Sequence, residues 1–312
     1  MTCAGVTVRS LNVFKDVCAV TSLDDDVFVV CINNNQCVEV YNAASLKFQT
    51  NLLVPGLGYC SWGLAACGNY RCVYASDWSN DRVHRVDLSD GNPVMTWSVA
   101  SNPAGLSVNS EHNLLVVSQG KRSMQEFTTY GILLREYQLW PDDTPWQVVQ
   151  VNTSQLTSKH SDLDLQHDGG QNGGKHYVGT RFGPSHAVSL FSMGYRAPDE
   201  TESHTYSGVN RPAGVAVDKS GRVLVADWYN DRLQVLVLKM YVDEEEKTPR
   251  PTYLRDRSAH TLWELVEGGL KGPCGLWYDQ ARKRLCVGEC ERGGNRVIII
   301  DNLEDFTRLK VD

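Results

Sequence analysis

The stretch PAGVAVDKSGRVLVADWYNDRL, residues 212–233, decides the fold. Two short apolar runs, Gly214–Val217 and Val223–Ala226, flank a polar turn at Asp218–Gly221, and a second turn follows at Asp227–Asp231. The apolar residues return with a period of two, which is the repeat of a β-strand with one buried face. An amphipathic helix needs a 3.6-residue period sustained over roughly ten residues or more, and neither run is that long. The stretch therefore reads as strand, turn, strand and tight turn, with a third strand starting at Arg232.

The same reading recurs far away in the chain. Residues 75–83, ASDWSNDRV, match residues 225–233, VADWYNDRL, and Gly63-Leu64-Ala65-Ala66, a turn at Gly68-Asn69 and Cys72–Ala75 precede them in the same order. A weaker copy runs from Gly275-Leu276-Trp277-Tyr278 through Leu285–Gly288 and Glu289 to Asn295-Arg296-Val297-Ile298. Pattern alone identifies Gly105–Val108 with Leu114–Val117, and Val17–Val20 with Val27–Ile32 and Val38–Tyr41. A sixth unit starts at Gln147–Val151 and resumes at Tyr177–Gly179 and Ala187–Phe191.

First strands thus begin near residues 17, 63, 105, 147, 214 and 275. Units of roughly 40–50 residues holding four short strands each describe β-propeller blades. The expected fold is all-β: a six-bladed β-propeller of four-stranded antiparallel blades, one domain over residues 1–312. Insertions at 152–176 and 240–261 lengthen the fourth and fifth units and project from one face. A propeller must cover its edges, and either Val6–Leu11 or Phe306–Val311 supplies the outer strand of the last blade.

The pattern Pro212-Ala213-Gly214-Val215-Ala216-Val217-Asp218, then Gly221–Asp227, Asn230 and Arg232, resembles an NHL repeat. The resemblance implies six blades, in agreement with the count from periodicity. It also implies a partner-binding surface on the face that gathers the starts of the inner strands and the turns after Asp77, Asp227 and Glu289. The chain is similar in this to the propeller of tripartite-motif NHL proteins. It shows no Cys/His zinc spacing and no sustained heptad, so a ubiquitin-ligase role is not expected.

On that face the candidate binding residues are Trp62, Asp77, Trp78, Trp146, Arg181, Phe182, His186, Asp227, Trp228 and Glu289. Aromatic side chains dominate interface energetics, although Trp62 and Trp146 equally suit a plug in the central channel. An acid ending the second strand faces an Arg starting the third, so Asp77 with Arg82 and Asp227 with Arg232 are expected to pin their turns. Arg181, Phe182 and His186 occupy the turn of the unit that breaks the DWxND pattern.

A net charge of −7 argues against general nucleic-acid binding, which draws its affinity from Lys and Arg on phosphates; RNA is therefore the least favoured partner. A protein partner is expected. The alternative is a propeller enzyme, a metal-dependent hydrolase or lyase acting on a small molecule in the channel. No GxSxG, P-loop or GxGxxG element is present. His160, His167 and His176 have neither HxH nor HxxxH spacing, so no cofactor is expected, and a channel metal belongs to the enzyme alternative alone. With 42% hydrophobic and 21% charged residues and no apolar run of about 20 residues, the chain reads as soluble. Residues Met1–Ser10 lack a signal-peptide pattern, and the ten cysteines form no CxxC pair. Cytoplasmic location with reduced, buried thiols is the expectation.

Overall fold

The computed structural model describes residues 6–13, 15–31, 36–59, 61–89, 91–151, 175–193, 204–218, 221–242, 249–255, 269–290 and 295–303. After the N-terminal strand β1 (Thr7–Asn12), the first blade is β2 (Val17–Leu23), β3 (Asp26–Cys31), β4 (Cys37–Asn42) and β5 (Phe48–Leu53). The second is β6 (Leu64–Cys67), β7 (Cys72–Asp77), β8 (Arg82–Asp87) and β9 (Val94–Ser98). β10 (Pro103–Val108), β11 (Leu114–Ser118), β12 (Ser123–Phe127) and β13 (Leu133–Gln138) form the third. The fourth comprises β14 (Thr144–Val151), β15 (Lys175–Phe182), β16 (Ala187–Met193) and β17 (His204–Tyr206). β18 (Pro212–Val217), β19 (Arg222–Asp227), β20 (Arg232–Val242) and β21 (Pro249–Arg255) form the fifth, and β22 (Pro273–Asp279), β23 (Arg284–Glu289) and β24 (Arg296–Asp301) belong to the sixth. Every pairing is antiparallel, and the inner strands β2, β6, β10, β14, β18 and β22 each pack on the next, with β22 returning to β2. This is a closed six-bladed β-propeller.

The outer place in the sixth blade is taken by β1, in register from Thr7↔Asp301 to Asn12↔Arg296. Asp301 accepts Arg9 from β1 and Arg284 Nε from β23 at 2.7 Å, while Arg9 also reaches the carbonyls of Ala43 and Ala44 in the first blade. Leu11 and Val13 pack with Val17, Val27 and Val29 of the first blade and Cys286, Val297 and Ile299 of the sixth. The two chain ends are thus joined by an apolar seam and an arginine pair. Phe306–Val311 lie outside the described residues.

The fifth blade corrects the expected insertion at 240–261. Residues 240–242 continue β20 and pair with Pro249–Pro251 of β21. β21 is an outer strand, where proline costs no ladder bond on its open side, so its prolines do not exclude it from the sheet. Residues 243–248 and 256–261 lie outside the described residues, as does 152–174 of the other insertion, whereas Lys175 and His176 are already strand. Among the described residues no helix is long and apolar enough to cross a membrane.

Glycines of the inner strands let successive blades touch through backbone. A Cβ at Gly63 would fall 2.2 Å from the Ala104 carbonyl, at Gly105 2.5 Å from that of Trp146, and at Gly214 2.6 Å from that of Cys274. The fourth blade has Gln147 at this place. Its amide donates to the Leu106 carbonyl at 3.4 Å and accepts the Val215 N–H at 2.9 Å, joining the third blade to the fifth.

Candidate interaction face

The starts of the inner strands and the turns joining second to third strands share one face. There the repeat residues bond to one another. Asp227, fully buried, accepts Arg232 Nε at 2.7 Å, Asn230 Nδ2 at 2.9 Å and the Asn210 N–H at 2.7 Å. Glu289 repeats this in the sixth blade with Arg296, Nε and Nη2 both at 2.8 Å, and the Lys271 N–H at 2.8 Å. Arg232 and Arg296 also donate to the carbonyls of Gly208 and Gly269 in the segments leading into these blades. Each acid therefore fastens its turn to the start of its own blade.

The second blade departs from the expected pin. Arg82 is exposed, and the third-strand partner of Asp77 is His84, with Nε2 3.3 Å from Oδ2. His84 lies two residues on, on the same strand face, and with Asn80 at 2.8 Å it occupies the oxygen that Arg82 would need. Thr96 Oγ1 stands 2.9 Å from His84 Nδ1. Burial pushes the His84 pKa below the usual histidine value, against the opposing pull of Asp77. A neutral ring then donates from Nε2 to the carboxylate and accepts at Nδ1 from Thr96.

A second device ties each turn to the next blade. The second Asp of DWxND has a left-handed backbone, φ 54° at Asp81 and 50° at Asp231. Asp81 Oδ1 accepts the Asn102 N–H and Asp231 Oδ1 the Gly272 N–H, both at 2.7 Å. These donors immediately precede Pro103 and Pro273. In the fourth blade the Arg211 N–H, just before Pro212, points at His186 Nδ1 at 3.3 Å, and Asn210 Oδ1 stands 3.0 Å from the same nitrogen. With Nδ1 unprotonated, His186 takes the place of the missing Asp. Asp143, from the preceding segment, holds that turn through Ser185 (Oγ at 2.6 Å) and Arg181 (3.2 Å), and the Arg181 guanidinium lies 5.1 Å from the Trp140 ring.

The tryptophans divide into two groups. Trp146 and Trp228, 8% and 4% exposed, are packed with Ala213, Cys274 and Cys290. Trp146 sits 5.3 Å from both Trp62 and Phe182 and 6.2 Å from Trp228, ring to ring. Trp228 also donates Nε1–H to the Cys290 carbonyl at 3.2 Å. Trp62 and Phe182 are half-buried against this cluster, and Trp78, also half-buried, donates Nε1–H to Gln119 Oε1 at 3.0 Å. Sequence reasoning missed Arg211, whose guanidinium lies 5.2, 5.0 and 4.9 Å from the rings of Phe182, Trp228 and Tyr229. The available signal was Tyr229, the variable residue of DWxND, where the other copy has Ser79.

A group of exposed apolar side chains lies away from this face. Tyr70, Met95, Tyr130, Ile132, Leu133 and Leu134 are all exposed, Tyr130 and Ile132 more than 60%. Tyr70 in the β6–β7 turn lies 6.4 Å from Tyr130 in the β12–β13 turn and 6.2 Å from His112, and Arg85 lies 5.8 Å from the Tyr130 ring. Nothing in the alternation of strands announces the Tyr70–Tyr130 contact, because it joins turns of two blades. Among the described residues no three His, Cys, Asp or Glu side chains converge as a metal group.

These repeats have a counterpart among known families. Residues 209–236 match the NHL repeat. The match covers the fifth-blade motif whose acid, Asn and Arg are bonded as above. No curated protein matches the chain in sequence. In fold, the chain is similar to the β-propeller domain of Cps50 (Swd1) from Myceliophteria thermophila, with TM-score 0.57, 10% identity and coverage of 94% of this chain and 98% of that one. It is also similar to Kuenenia stuttgartiensis hydrazine synthase (0.56, 12% identity, 95% and 98% covered) and to the WD40 propeller domain of Doa1 (0.55, 12% identity, 98% and 99% covered). At such identities the likeness concerns the fold.

Proposed function

We propose that this chain is an interaction module, a rigid propeller that holds a protein partner. The observation that carries the reading is the exposed Tyr70–Tyr130 pair, 6.4 Å apart ring to ring across two blades, with the exposed Ile132 in the same turn as Tyr130, since exposed apolar clusters mark interaction sites. The face expected from the family resemblance is the second contact surface of the proposal. Its accessible anchors are Trp62, Phe182 and Tyr229, half-buried against Trp146 and Trp228, and the half-buried Trp78. A cytoplasmic setting goes with this reading, because free buried thiols such as Cys18, Cys37, Cys274 and Cys286 suit a reducing compartment.

Quantitative affinity capture with the full chain tests it. Proteins retained by the wild type and lost by roughly tenfold or more with Tyr130→Ala plus Ile132→Ser would be the partners, that loss being the size of a truncated hot-spot pair. The matching pair Trp78→Ala plus Tyr229→Ala reports on the second surface. Retention unchanged by both pairs overturns the interaction-module reading; loss with the second pair alone moves the site to the second surface.

A further inference from the structure

We propose that Cys67 and Cys72 form a reversible dithiol–disulfide site, oxidised by a hydroperoxide and reset by an external dithiol. The two residues lie directly opposite each other at the end of the β6–β7 hairpin, in the register Cys67↔Cys72. Opposed residues of antiparallel strands have Cα atoms about 4.5–5.5 Å apart, within the roughly 4.4–6.8 Å that a disulfide spans. The register thus places the two Cα atoms within the span of a disulfide. Both thiols are free and buried, yet they stand next to the exposed turn Gly68–Arg71, so a small oxidant has a short path to them.

The surroundings separate the roles of the two sulfurs. Cys67 hydrogen-bonds Cys72, and that bond, helped by Tyr74 and Arg85, holds the Cys72 thiol down at about 6 against the effect of burial. The same bond, with burial, pushes Cys67 far up. Cys72 is thereby the nucleophile of the proposed pair and Cys67 the resolving thiol. Arg85 is itself buried and anchored to Asp87 at 3.2 Å, which keeps a fixed cation beside the sulfur. Burial moves other cysteines the opposite way: Cys37 and Cys274 upward, and Cys286 to about 12.

The chemistry balances with hydrogen peroxide as the oxidant. The Cys72 thiolate attacks one peroxide oxygen, the O–O bond breaks, and the departing hydroxide takes the Cys67 proton to leave as water. Cys72 is now a sulfenic acid. The Cys67 thiolate attacks its sulfur, forming the S–S bond and expelling hydroxide, which is protonated by solvent to a second water. A dithiol returns both residues to thiols by exchange through a mixed disulfide.

Peptide mapping of the full chain decides the matter. Trypsin cleaves after Lys47, Arg71 and Arg82, so Cys67 and Cys72 fall on separate peptides, 48–71 and 72–82. After treatment with hydrogen peroxide these should emerge joined, through Cys67 and not Cys60 on fragmentation, and dithiothreitol should release them. In Cys67→Ser the sulfenic acid on Cys72 should persist and be trapped by dimedone. At about pH 6 it should form on the order of tenfold faster than on Cys37, because the gain in thiolate fraction outweighs the lower nucleophilicity of a low-pKa sulfur. Separate release of the two peptides from the oxidised wild type, linkage through Cys60, or a Cys72 rate no greater than that of Cys37 would each overturn the proposal. The wild-type map needs no variant to fold.

Discussion

Asp231 offers the sharpest test of how the repeat motif builds the ring. Its carboxylate accepts the Gly272 N–H of the next blade at 2.7 Å, and its own backbone sits at φ 50°. Asp231→Ala removes a hydrogen bond to a charged group, about 1.5–3 kcal/mol, and strands a buried amide. It also removes the short polar side chain that eases left-handed backbone, adding part of the roughly 1–2 kcal/mol that such backbone costs an ordinary residue. The sum is roughly 2–4 kcal/mol. Asp231→Asn keeps an acceptor and the left-handed tolerance, and should cost about 1 kcal/mol. Asp231→Gly loses the acceptor but not the backbone preference, and should cost about 2 kcal/mol. Urea unfolding followed by tryptophan fluorescence, with stability taken from midpoints at constant m, should rank the variants Asn, Gly, Ala in order of increasing loss. If Gly is as damaging as Ala, the left-handed backbone contributes nothing. If Ala costs no more than Asn, the carboxylate is not the latch. The same series at Asp81, which holds Asn102 in the same way, should give the same order.

Gln147→Ala should cost about 1–3 kcal/mol in the same assay, because it leaves the Val215 amide buried without its acceptor. Gly214→Ala should cost about 1–3 kcal/mol by overpacking, its new Cβ falling 2.6 Å from the Cys274 carbonyl. Buried His84 has a folded pKa below its unfolded value of about 6.5. Its contribution is therefore complete above that pH and is lost as the pH falls through the folded value, with a limiting slope of about 1.4 kcal/mol per pH unit. His84→Gln should flatten the stability profile below about pH 6.5 relative to wild type; His176, also lowered by burial, leaves a residual slope in both. Dialysis against a chelator should leave the melting temperature unchanged, and a fall that added zinc restores would establish a channel metal.

Much of the ring was legible because its strongest signals are local. A DWxND turn carries its own acid, Asn and Arg within six residues, so Asp227 to Arg232 announces the hairpin whatever surrounds it. Closure was not legible, because Val6–Leu11 and Phe306–Val311 both alternate, and the contacts that place β1, Arg9 with Asp301 and Leu11 against Val17, join residues far apart in the chain. The candidate site was legible in residue type but not in exposure. Trp62 and Trp146 look alike in sequence, yet one is half-buried and the other lies beneath its neighbours. The Asp77–Arg82 pin failed for a related reason, since His84 two residues later is nearer the carboxylate. His186 looked like a break in the repeat, but it performs the latch of Asp81 and Asp231 with a different atom.

This last substitution bears on where function can reside. On the DWxND face the acids Asp77, Asp81, Asp143, Asp227, Asp231 and Glu289 all accept bonds that hold turns or join blades. A carboxylate engaged in this way cannot take up a ligand without loosening the ring, because each broken charge-assisted bond leaves a buried polar group behind. On the proposed reading, recognition on this face would therefore come from residues outside the fastening scheme: Trp78, the third residue of the turn, Ser79 or Tyr229, and the Arg211 guanidinium above the rings. The third position differs between the second and fifth blades, Ser79 against Tyr229, while Asp77, Asn80 and Asp81 coincide with Asp227, Asn230 and Asp231. Partner specificity can vary there while the ring stays closed, whereas the Tyr70–Tyr130 pair, away from this face, is free of the fastening scheme altogether.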